Sequence, residues 1–152
     1  MRRRRLAVRA VAAALVGLAA APAFVAPRAE DLGPTIDLRP GQEATFAATL
    51  VGGGVTLGPA RVSNIGTAQP RDGEITVGAK PGGLSPYATL TVTEKTAEPM
   101  DFYATGFIDR IKIDEVRLCG RPDAPASTRI AAGSRRIALN RFAVRNEGEA
   151  CR

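Results

Sequence analysis

The run "IKIDEVRLCG" (residues 111–120) begins in β rhythm and then changes step. Ile111 and Ile113 share one parity. The next apolar pair, Val116 and Leu118, sits on the other, with the acids Asp114 and Glu115 between the pairs. On a helix, turning about 100° per residue, these four apolar positions scatter around the axis, so no helical face explains them. On a strand, one extra residue returns the inward face to register after the break, as a β-bulge does. The same apolar-x-apolar-x-x-apolar-x-apolar text recurs as "VTLGPARV" (55–62) and "IALNRFAV" (137–144). In the first of these, Gly58-Pro59 favours a tight bend between two short strands. The copies start 56 and 26 residues apart, which marks a recurrent local device and not a sequence repeat.

The surrounding chain reads the same way. "TIDL" (35–38), "EATFAATLV" (43–51), "GEITVGA" (73–79), "YATLTVTE" (87–94) and "DFYATGFID" (101–109) are short runs rich in Thr, Val, Ile and Phe. Such residues suit a pleated, half-buried surface. In "YATLTVT", Ala88, Leu90 and Val92 face one side, and Tyr87, Thr89, Thr91 and Thr93 the other. "PRDGE" (70–74) is a hairpin turn, while "KPGGLSP" (80–86) and "GRPDAPAS" (120–127) are loops. The expected fold is all-β, a small antiparallel β-sandwich of immunoglobulin-like type or a small barrel. The Cys…Trp…Cys signature of immunoglobulin domains is missing, because the chain has no tryptophan.

The N-terminal "MRRRRLAVRAVAAALVGLAAAPAFVAP" has the parts of a secretory signal. Arg2–Arg5 form a cationic start, Val11–Ala21 an apolar stretch, and Ala21-Pro22-Ala23 a small-x-small site, which places cleavage between Ala23 and Phe24. The apolar stretch falls short of the roughly 20 residues that span a bilayer. The predicted layout is a signal over 1–23, a lead-in over 24–33 and one β domain over 34–152, exported to the periplasm or the extracellular space. No transmembrane span is expected in the mature chain.

Cleavage changes the charge argument. The formal charge of +6 comes from 21 basic and 15 acidic residues, and five of the arginines leave with the signal, so the remainder carries +1. The basic excess reflects targeting and gives no warrant for nucleic-acid binding. The residual charge is uneven: residues 24–109 hold 6 bases and 10 acids, residues 110–152 hold 10 and 5.

An oxidising compartment makes a disulfide between Cys119 and Cys151 the expected state of the only two cysteines. The absence of histidine removes Ser-His, Cys-His and histidine-metal chemistry, and no nucleophile or phosphate-loop motif is present. No cofactor and no enzymatic role is expected. Two candidate sites remain. A bulge at 114–115 would aim Asp114 and Glu115 to one side, as an acid pair or cation ligands, although Lys112 and Arg117 would then neutralise that face. Near the C-terminus, Arg136, Arg141 and Arg145 share a face with no acid interleaved, suited to an anionic partner. The leading expectation is a non-enzymatic exported β module that binds a protein or an anionic envelope polymer, or self-associates. The alternatives are an inhibitor or accessory chaperone acting through a strand edge, and a hydrolase built on Asp114 and Glu115.

Overall fold

The computed structural model describes residues 34–122, 124–146 and 149–150. The predicted signal and lead-in, with the Ala23/Phe24 junction, lie outside the described residues, as does Cys151. Ten strands make up the described chain, and no helix occurs among the described residues. They are β1 (Ile36–Leu38), β2 (Gln42–Val51), β3 (Gly54–Leu57), β4 (Arg61–Asn64), β5 (Glu74–Lys80), β6 (Tyr87–Glu94), β7 (Met100–Ile108), β8 (Ile111–Cys119), β9 (Ala126–Ala131) and β10 (Arg136–Val144). All pairings are antiparallel. One sheet has the order β1-β10-β7-β8; the other has β3-β2-β5-β6-β9, with β4 pairing β2 beside β3. The fold is all-β, a small sandwich of two sheets.

Period-two alternation builds the core. Ala44 and Phe46 on β2, Ile75 and Val77 on β5, and Ala88, Leu90 and Val92 on β6 are buried from one sheet. Leu38, Phe102, Ala104, Leu118, Ile137 and Leu139 meet them from the other. Phe142 stacks on Phe102 at 4.8 Å and meets Phe46 edge-on at 5.5 Å, so one ring joins the two layers.

Each copy of the broken alternation holds one extra residue. β2 pairs Ala48 with Leu57 but Thr45 with Arg61, so three residues, Gly58–Ala60, oppose two. In this copy the chain bends at Gly58-Pro59 between two strands, as expected. In β10 the register shifts between Asn140 and Ala143, and Arg141 takes a left-handed conformation with φ 53°. In β8, Asp114 pairs with Gly106 and Lys112 with Phe107, so the unpaired residue is Ile113. The bulge therefore lies before the acids and not at 114–115. The reason is local: regular pairing from Asp114 onward aims its carboxylate at β9, where it accepts from Ala131 N at 2.8 Å.

The turns divide between two ends. Gly41 N donates to Ala79 O at 2.7 Å and Ile65 N to Gly41 O at 3.0 Å. Ala132 N donates to Pro86 O at 2.9 Å and Arg135 N to Phe107 O at 2.8 Å. These bonds, with the register of Tyr87 against Ala131 and Ile108 against Ile111, gather five connections at one end, here called the rim. The rim holds the β1–β2 turn, Ile65 after β4, the β5–β6 loop, the β7–β8 turn and the β9–β10 turn.

Candidate functional site

Asp114 and Glu115 sit in regular pairing, opposite Gly106 and Thr105, so they point to opposite sides. Asp114 turns to the seam between the sheets, where its Oδ2 accepts from Ala131 N of β9 at 2.8 Å. Glu115 stands on the outer face of the four-stranded sheet and accepts from Arg141 at 2.6 Å, Lys112 at 3.0 Å and Thr105 at 3.1 Å. Burial pushes its carboxyl up, but these three donors outweigh it and hold it at about 2. The two acids thus serve separate networks. The geometry expected of them occurs instead on β10, where the extra residue lets Asn140 and Arg141 both serve the outer face. Arg141 covers the Tyr103 ring at 3.8 Å, and Asn140 Nδ2 donates to Thr105.

The three arginines expected to share a free face are each answered by an acid from a neighbouring strand. Arg136 lies 3.7 Å from Asp37 of β1, Arg141 bonds Glu115 of β8, and Arg145 lies 3.3 Å from Asp101 of β7. Arg145 also donates to Gly120 O, and Asp101 receives Arg117 at 2.5 Å. Arg145 is the most enclosed of the three and belongs to the far end of the sandwich, where Glu94 is fully buried. Burial raises the Glu94 carboxyl above its ordinary range despite bonds from Thr96 and from Met100 N at 2.9 Å. Its second oxygen lies against Gly120, where any Cβ would sit 1.8 Å away. Cys119, one residue earlier, is buried.

Only Arg136 of that trio opens to the rim. There Asp37, Leu38, Arg39, Gln42, Asp109, Arg135 and Arg136 line an open cleft of about 720 Å³. Arg135 lies 3.8 Å from Asp109 with both side chains mostly exposed, so this pair is weak. Arg39 has no salt bridge among the described residues. It sits on the tight turn that passes the chain from one sheet to the other, closed by Gln42 N donating to Arg39 O at 3.0 Å. Gly41, at φ 91°, supplies the left-handed residue this turn needs. The only sequence signal for Arg39 is that turn text, Arg39-Pro40-Gly41.

Charge follows the two ends. The rim carries Arg39, Lys80, Arg110, Lys112, Arg135 and Arg136 against Asp37, Glu43, Asp109 and Asp114. At the far end Asp72, Glu74, Glu94, Glu98, Asp101 and Glu149 are matched by Arg61, Arg71, Lys95, Arg117, Arg121 and Arg145, so the basic excess belongs to the rim alone. Guanidinium groups in such a cleft can fork onto carboxylate, sulfate or phosphate oxygens. Among the described residues, no group of three or more Cys, Asp or Glu side chains is arranged to hold a metal ion. No helix there is long and apolar enough to cross a membrane.

Comparison with protein-family models, curated proteins and solved structures found no match.

Proposed function

We propose that the protein is an exported, non-enzymatic binding module whose basic rim holds an anionic macromolecule. The observation that carries this reading is the convergence of Arg39, Arg135 and Arg136, from the β1–β2 and β9–β10 turns, on one open cleft. Two of these arginines meet acids only at 3.7–3.8 Å across exposed side chains, and the third meets none among the described residues. An incoming anion therefore gains charge-assisted bonds without dismantling a buried pair. By contrast, Arg141 and Arg145 are committed to Glu115 and Asp101, which stabilises the sheet and leaves little for a ligand.

Calorimetric titration with polygalacturonate, a soluble acidic polysaccharide, tests this reading. Arg39→Ala and Arg135→Ala are each expected to weaken binding about tenfold, and added salt is expected to weaken it further. Arg121→Ala at the far end should leave it unchanged. Binding that ignores both rim arginines would refute the proposal.

A further inference from the structure

The rim is apolar as well as basic. Of the eight large hydrophobic side chains that stand exposed among the described residues, five belong to it: Ile65, Leu84, Tyr87, Ile111 and Ile113. Leu84, at the tip of the β5–β6 loop, is 107% exposed, and Ile111, at the start of β8, is 70% exposed. Isolated apolar residues on a surface are ordinary, but a concentration at one end of a sandwich marks a docking surface. At full exposure Leu84 touches no core.

The company of these residues identifies what the surface fits. A soluble polyanion needs cations alone and gains nothing from Leu84 or Ile111. A protein interface is depleted of lysine and usually centres on apolar anchors within a polar rim. Here the cations and the apolar side chains are interleaved on the same turns: Lys80 precedes the Leu84 loop, and Arg110 and Lys112 flank Ile111. Short apolar side chains among Lys and Arg, with a tyrosine at their border, are the chemistry of the bilayer interface, where acyl chains lie just below charged headgroups. Building on the reading of the rim as the binding end, we propose that it seats on a bilayer carrying anionic phospholipid headgroups. Leu84 and Ile111 enter the headgroup–acyl boundary, Tyr87 lies at its edge, and Arg39, Arg135 and Arg136 receive phosphate oxygens. The far end, where acids and bases balance, then faces away from the membrane.

Co-sedimentation of the purified protein with vesicles tests the proposal, using mixed phosphatidylglycerol and phosphatidylcholine against phosphatidylcholine alone. Binding is expected to the mixed vesicles only. Leu84→Ser should weaken it about tenfold by removing an inserted side chain, and Arg39→Ala about fivefold by removing one cation. Leu50→Ser, an exposed apolar position at the far end, should change nothing and serves as the control. Polygalacturonate binding should survive Leu84→Ser. No binding to the mixed vesicles, equal binding to both kinds, or indifference to Leu84→Ser would each overturn the membrane proposal. Arginine-dependent polygalacturonate binding in that event would leave the broader reading of the rim standing. Arginine-independent binding to both probes would bring down the broader reading as well.

Discussion

Replacing Glu115 with Gln should remove a stabilisation that belongs to one window of pH. The carboxylate receives Arg141 at 2.6 Å, Lys112 at 3.0 Å and Thr105 at 3.1 Å, and its titration falls from 4.5 to about 2. A carboxyl depressed by folding stabilises the native state above its unfolded value, and that stability is lost as pH falls through the folded value. The effect is therefore complete above 4.5 and disappears toward about 2. At about 1.4 kcal/mol per unit the shift sets an upper bound near 3 kcal/mol. Lys112 and Arg141 are partly exposed, at 54% and 39%, so solvent screens much of it. A net loss of about 1 kcal/mol is the expected outcome for Glu115→Gln at neutral pH. Urea unfolding of both proteins across an acid series measures the difference directly. The gap between wild type and variant should close as pH drops below 4.5. A gap that stays constant through that window would refute the charged network as its source.

Glu94 should show the opposite sign, because burial raises its carboxyl: its contribution grows as pH falls toward 4.5 and is lost as pH rises through the elevated value. Glu94→Gln keeps the acceptor for Thr96 and Met100 N and removes a buried charge, so a gain of about 1–2 kcal/mol at neutral pH is expected from urea melts; a loss would show that Arg145 needs the charge. Phe142→Ala should cost about 3 kcal/mol, since the ring joins the two sheets; a loss below about 1 kcal/mol would refute that role. Gly120→Ala drives a Cβ into the Glu94 carboxylate and within 3.0 Å of Met100 O, and should cost about 1–3 kcal/mol. Gly133→Ala, which meets only ordinary contacts at 3.6 and 3.8 Å, should be near neutral in the same urea melts. The disulfide expected from the sequence between Cys119 and Cys151 should stabilise the protein by roughly 3–4 kcal/mol; thiol alkylation without reductant should leave both cysteines unmodified, and labelling of either would refute the bridge.

Alternation made the strands legible. Ala88, Leu90 and Val92 are buried as the text of 87–94 requires. Glu94 continues their parity and is buried too, against the usual reading of a charge as exterior, because the chain beyond it folds back to supply Met100 N and Thr96. The broken copies announced an extra residue, but in β8 it sits at Ile113 and not at 114–115, where the text placed it. That depends on the neighbouring strands: β8 leaves Ile113 unpaired, and Asp114 beyond it reaches Ala131 N of β9. The arginines were misjudged for a related reason. Asp37, Glu115 and Asp101 reach Arg136, Arg141 and Arg145 from three other strands, and no pattern along 134–145 reveals which strands become neighbours. Arg39 was invisible as a site residue for the same cause, since its company at the cleft comes from residues 109, 135 and 136.

The placement of the rim has a practical consequence for anyone handling the protein. Of its three lysines, Lys80 and Lys112 lie at the rim and only Lys95 at the far end. Coupling to a sensor chip through amines would therefore glue much of the sample down by its working end and report silence. β10 runs from Arg136 at the rim to Val144 beside Met100, so the polypeptide is carried away from the rim as it leaves the sheet. A tether on the C-terminal side would present the arginines and Leu84 outward, and the choice of linkage alone could decide whether binding is ever seen.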